Sequence, residues 1–415
     1  KPSSLKLRLV LMTFFRSLPN GATQLLVSCL RRADWAALSV LSSAFLIVLK
    51  RSQASVHLSV WQSGQGCKRW TLAQVVAINE LSSFKVCGAT IRLEESALIR
   101  DFVHGSHGCT QTLAGLHMCS DLTDLEVSKC QQLVDISDLT TCVQMETLSL
   151  EGSIVLKDLS VLAGMRMLSK LTLTHCTALT DIGPLASVSN LTKLRLHECK
   201  DLANVETLAS LSRLRDLCIH GSKVLNDVFP LMNCRALRDL SLLDCHSLKD
   251  VSPLAHLAHL RNCWIRSHVL DDVNALSSCT SLHRLVIQNS KFLTDISPLA
   301  SCSALSEVGL QCCEALVDIS PLAYCTKLVF IDVHESSLVR DISFFSQLPK
   351  LQQINICECD LITCEVLKPV LESFNHLQVE SSSREIDKLA WQYSRWADMY
   401  SDEGGAGFSS DSNSS

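Results

Sequence analysis

One short element returns along this chain at an almost fixed interval. With its Asp or Asn as marker, the positions are Asp135, Asp158, Asp181, Asn204, Asp227, Asp250, Asp272, Asp295, Asp318 and Asp341, and every step is 23 residues except the 22 between Asp250 and Asp272. Between Leu282 and Leu328 the stretch LHRLVIQNSKFLTDISPLASCSALSEVGLQCCEALVDISPLAYCTKL states it twice. A unit this short cannot enclose a core of its own, so it must bury its apolar face on its neighbours. The chain is thereby held to a stacked, repeating array.

Aligned on the marker, an apolar column runs from Leu122 and Met145 to Leu328 and Leu351. Three residues on, each unit carries an apolar pair around one variable residue, from Leu125/Val127 and Leu148/Leu150 to Ile331/Val333 and Ile354/Ile356. Alternation of this kind reads as a short strand. Each unit returns the chain in the same direction, so neighbouring strands are parallel. At ~4.8 Å per strand, eleven rungs make a ladder on the order of 50 Å long. Aromatics are only 5% of the chain, as expected where aliphatic rungs fill the core.

Three residues after the second strand position comes a Cys or Ser: Cys130, Ser153, Cys176, Cys199, Ser222, Cys245, Ser290, Cys313, Ser336 and Cys359, with Ser267 or His268 in the 22-residue unit. A small side chain with a weak donor can bond a neighbouring backbone there. A second column, Cys119, Cys142, Cys234, Cys279, Cys302 and Cys325, gives way elsewhere to Met165, Val188, Leu211, Leu257 and Leu348; it reads as packing. Of 21 cysteines, 12 are thus small buried hydrophobes. Stacked free thiols imply a reducing cytoplasm or nucleus. Ser252, Ser297 and Ser320, each before a Pro, read as caps of a short helical return.

These patterns resemble the leucine-rich repeats. The opening Cys-x-x-Leu and the L-x-x-L-x-L-x-x-C centre are similar to the cysteine-containing class, and the short DISPLA return to the bacterial-invasin-like class. The fold expected is α/β: a leucine-rich-repeat solenoid of about eleven 23-residue repeats, with a parallel concave sheet, short helical turns on the convex side and a small helical N-terminal region. The expected organisation is a helical region over 1–50, degenerate repeats or a cap over 51–112, the solenoid over 113–364, a C-terminal cap over 365–400 and a disordered tail over 401–415. Within the C-terminal cap, Ser382 and Glu385 read as a capping box.

The head differs from the array in charge. Residues 1–112 hold 13 Lys and Arg against 5 Asp and Glu, whereas the remainder holds 24 against 37. Ala36–Leu49, at 14 residues, is too short to span a bilayer, so no membrane segment is expected. From Leu18 to Phe45, short helical patterns share one apolar side. This stretch resembles an F-box at Leu18-Pro19, Leu26, Leu30, Asp34, Leu38-Ser39, Leu41-Ser42 and Phe45, although Gly21, Ala22 and Phe45 depart from that family's pattern. The resemblance implies docking on a Skp adaptor and cullin through Leu18, Pro19, Leu26, Leu30, Asp34 and Leu38. A substrate receptor of a ubiquitin ligase is then the expected function, and a plain interaction scaffold the alternative.

The variable residues beside each apolar pair are expected to face a protein partner on the concave side. Lys193, Arg195 and His197 form one basic patch, and Trp264 among Arg261, Arg266 and Arg284 has the composition of an interface hot spot. Phe330 and His334 mark a third cluster. No phosphate loop, nucleophile motif or ligand set at metal spacing stands out, so neither catalysis nor a metal or cofactor is expected. The acidic array argues against nucleic acid.

Overall fold

In the computed structural model, the residues described are 57–59, 90–94, 113, 116–118, 120, 122–128, 131–374 and 376–402. The F-box-like stretch, with Leu18, Pro19, Leu26, Leu30, Asp34 and Leu38, lies outside them, as do Cys119, Cys130 and the tail beyond Asp402.

The chain divides into two units, Lys1–Leu202 and Ala203–Ser415. The first holds β1 (His57–Ser59), β2 (Thr90–Glu94), β3 (Asp124–Ser128), β4 (Thr147–Glu151), β5 (Lys170–Thr174) and β6 (Lys193–His197), each parallel to the next. The second holds β7 (Asp216–His220), β8 (Asp239–Leu243), β9 (Asn262–Arg266), β10 (Arg284–Gln288), β11 (Glu307–Gln311), β12 (Phe330–Asp332), β13 (Gln353–Asn355) and β14 (Gln378–Glu380), again parallel in chain order. It ends in helices α1 (Cys364–Glu372) and α2 (Arg384–Asp402).

All eleven expected rungs are strands, β3 to β13. Their apolar pairs stack in register, as in Leu148↔Leu171 and Leu150↔Leu173, and are buried. Strand β2 was not anticipated. It follows no marker and lies 34 residues before β3, so a search for a period of 23 passes over it.

The returns are five-residue 3-10 turns, such as Ser297–Ser301 and Ser320–Tyr324. The cap is not the Ser before Pro, as the sequence pattern implied. At all ten markers the side-chain Oδ1 accepts the backbone N–H two residues on, at 2.7–2.9 Å. The residue between, such as Ile296 or Ile319, drives its side chain into the core. Each marker is an Asx turn that launches the return.

Bonds from Ser160 and Ser343 hold the Asp158 and Asp341 carboxyls below their ordinary range. A carboxyl whose folded pKa lies below its unfolded one stabilises at neutral pH, and that stability fades as pH falls through the folded value. Asp295→Ala is expected to cost about 1 kcal/mol at pH 7, read from the urea midpoint. Asp295→Asn should be nearly neutral there, as Asn204 fills the same place, and Asp341→Asn should remove that site's share of the acid sensitivity. Equal losses from Ala and Asn would refute this account.

Both cysteine columns bond across repeats. Cys199 and Cys359 direct their thiols to the carbonyls of Leu173 and Val333, at 3.8 and 3.0 Å. The second column is more than packing: Cys234, Cys302 and Cys325 donate to the carbonyls of Leu208, Leu276 and Leu299, at 3.1, 3.4 and 3.3 Å. Burial pushes the thiols of Cys245, Cys313 and Cys325 up to about 12, so they remain protonated donors.

One further column was illegible. Just after each strand sits a residue in the left-handed region: Gly152, His175, Glu198, Gly221, Asp244, Asn289, Cys312, Glu335 and Glu358, with φ between 53° and 76°. At Gly152, His175, Gly221, Asn289, Cys312 and Glu335 its N–H bonds a carbonyl of the next repeat, as in His175 to His197 and Cys312 to His334. In the 22-residue unit, Arg266 is followed directly by buried Ser267, whose hydroxyl donates to the Leu248 carbonyl at 2.6 Å. Ser267, not His268, therefore fills the Cys/Ser place, and the residue dropped is the left-handed one.

Candidate functional site

The exposed strand face carries the variable residues, since each alternates with buried neighbours. In the first unit, Lys193, Arg195 and His197 alternate on β6 with buried Leu194 and Leu196. Lys193 is in register with Lys170, so the basic patch extends one strand further than the sequence grouping implied. The other five candidates lie on the second unit.

There, register fixes the neighbours. Trp264 is half-buried on β9, beside Ser241 and Val286. Next come Gly309 and Asp332 on β11 and β12. Gly309 leaves this row bare; a Cβ there would meet the Val286 Cγ1 at 3.4 Å. Phe330 stands in a different row, opposite Glu307 and Gln353.

The arginines are not free charges around Trp264, as their grouping in sequence implied. Arg284 forms a two-pronged pair with Glu307, at 2.5 Å from Nε and 2.7 Å from Nη2. Arg266 donates from Nε to the Gln288 Oε1 at 2.7 Å and lies 3.4 Å from the Asp244 carboxylate.

Arg266 belongs to a longer polar chain. His220 Nε2 is 2.9 Å from Asp244, Asp244 pairs with Arg266, and Arg266 bonds Gln288. Gln288 then donates to Gln311, Gln311 donates to Asp332 at 2.5 Å, and Asp332 accepts from the His334 Nδ1 at 2.8 Å. The chain thus runs from β7 to just beyond β12 along one edge of the face. Partial burial pushes the Asp244 carboxyl up, but the His220 hydrogen bond and the Arg266 and His220 charges outweigh it and hold it below the ordinary range. A connected network of this sort fixes side chains in advance of binding.

No protein-family model matches the sequence, and no curated protein matches it. Among solved structures, an internalin, InlF from Listeria monocytogenes, superposes with a TM-score of 0.57 at 23% identity, over 79% of this chain and 89% of that one. The fold is that of a leucine-rich-repeat solenoid. Internalin C2 of the same organism aligns at a TM-score of 0.39 and 26% identity, over 47% of this chain and 82% of that one. A leucine-rich-repeat protein of Leptospira interrogans aligns at 0.33 and 12%, over 65% and 93%. Among the described residues no helix of this leucine-rich-repeat chain is long and apolar enough to cross a membrane.

Proposed function

We propose that this protein is a non-enzymatic interaction scaffold whose exposed strand face binds a protein partner. The observation that carries the reading is the ordered face of the second unit, where the chain from His220 to His334 runs beside half-exposed Trp264. A pre-set polar row beside an aromatic is the composition of a protein-binding hot spot. Lys193, Arg195 and His197 supply a basic patch on the first unit. The stacked protonated thiols suit a reducing compartment, cytoplasmic or nuclear.

Trp264→Ala is expected to weaken partner binding by about 2 kcal/mol at an unchanged melting temperature, measured by calorimetry with a partner captured from cell extract. Loss of folding instead would make Trp264 a core residue and remove it from the site.

A more specific version takes the scaffold as the substrate receptor of a Skp–cullin ubiquitin ligase; its support is the F-box resemblance of Leu18–Phe45 alone. Changing Leu18-Pro19 to Ala-Ala should then abolish co-purification with adaptor and cullin and spare the partner of the strand face. A well-folded wild-type chain that never brings down either protein leaves the scaffold reading standing and ends the ligase one.

A further inference from the structure

Cys312, His334 and Glu335 come from two successive repeats. The left-handed positions of Cys312 and Glu335 are 23 residues apart, with φ of 54° and 56°, and stacking sets them side by side. The Cys312 Sγ lies 3.4 Å from the Glu335 Oε2. A thiol sulfur, an imidazole nitrogen and a carboxylate oxygen all fall within 4.8 Å of one another, the sole such trio among the described residues.

We propose that Cys312, His334 and Glu335 form a binding site for a zinc-class divalent ion. Zinc bonds of about 2.3 Å to sulfur and 2.0–2.2 Å to nitrogen and oxygen require donor atoms a little closer together than 4.8 Å. Modest side-chain rotation closes that gap, and the Cys312–Glu335 pair already stands at such a spacing.

The surroundings of His334 are those of a metal ligand. Asp332, buried at 6% exposure, accepts from the His334 Nδ1–H at 2.8 Å and from the His334 backbone N–H at 3.1 Å. Gln311 fixes its other oxygen. With Nδ1 so held, Nε2 is the nitrogen left to ligate, and a carboxylate behind a ligating imidazole is the usual orienting partner.

The donor set also selects the ion. Thiolate and imidazole disfavour calcium and magnesium, and the mixture suits zinc. Binding would break the Cys312 S–H bond, form a sulfur–metal bond and release the proton to solvent. Two negative ligands and one neutral ligand then balance a divalent charge. Three protein ligands leave a fourth position for water or a group on another molecule. This site shares Asp332 and His334 with the polar row of the strand face but does not rest on the partner reading.

Cobalt(II) is the probe: the full chain, stripped with chelator, is titrated with it and then challenged with zinc. The expected result is one equivalent bound, with a thiolate-to-cobalt absorption in the near ultraviolet that zinc abolishes. Cys312→Ser should remove that absorption, and Asp332→Asn should lower affinity about 10–100-fold, both at unchanged circular dichroism. Zinc should raise the melting temperature of the wild type and not that of Cys312→Ser. Absence of the band, its persistence in Cys312→Ser, or an unchanged affinity in Asp332→Asn would overturn the assignment.

Discussion

Phe345→Ala is expected to cost about 3–5 kcal/mol, the largest loss from any single truncation considered. Phe345 is fully buried and meets Phe344 edge-on, with ring centroids 4.9 Å apart at 79°. It fills the place that Leu322 holds one repeat earlier. The layer beneath differs: α1, rather than another 3-10 turn, lies against Ser343–Gln347. Truncation opens a cavity between two rigid layers that cannot collapse into it. The loss is read from urea unfolding as a lowered midpoint at unchanged slope. A cost below 1 kcal/mol would mean that the end of the array is loosely packed and that α1 is not its cover.

Ending the chain after Thr363 should have a still larger effect. The cut removes Leu367, Val370, Leu371, Leu377 and Ile386, all buried. At about 1.5–3 kcal/mol per buried side chain, the apolar burial lost is on the order of 10 kcal/mol, comparable with the whole stability of a typical domain. It also bares the edge of β13, which otherwise pairs with β14 through Ile354↔Val379. An unpaired, apolar end recruits other chains. The expected product is an oligomer or precipitate, seen by light scattering after gel filtration. A soluble monomer with the parental melting temperature would show that the last repeat caps itself.

The sequence exposed whatever repeats and hid whatever depends on repeats being adjacent. The rungs and the Asp markers were legible because one position does one task in every unit. The chain from His220 to His334 was not, since its members come from six repeats and only stacking joins them. Sequence neighbours misled for the same reason: Trp264 was grouped with Arg266 and Arg284, whose charges are met by Asp244 and Glu307. Ser caps were inferred from Ser-Pro, although the Asp two residues earlier is the acceptor. At α2, Ser382 accepts the Glu358 N–H at 2.9 Å instead of completing the expected capping box, and the Ser383 carbonyl takes the Asp387 N–H. A short hydroxyl side chain serves whichever donor the fold brings nearest.

The 22-residue unit shows where such an array can change length. Its missing residue is the left-handed one, whose side chain stands outside the core and whose main contribution is an N–H to the next strand. Ser267 supplies that donor to Gln288 at 3.3 Å, against 2.8–3.0 Å at the complete sites. The sheet on either side keeps its register, with Cys263↔Leu285 and Leu285↔Val308 in line. Copying errors at this joint are thereby absorbed within one turn and do not shift the frame of the units that follow. A unit can lose that one residue while the rungs on either side keep their places.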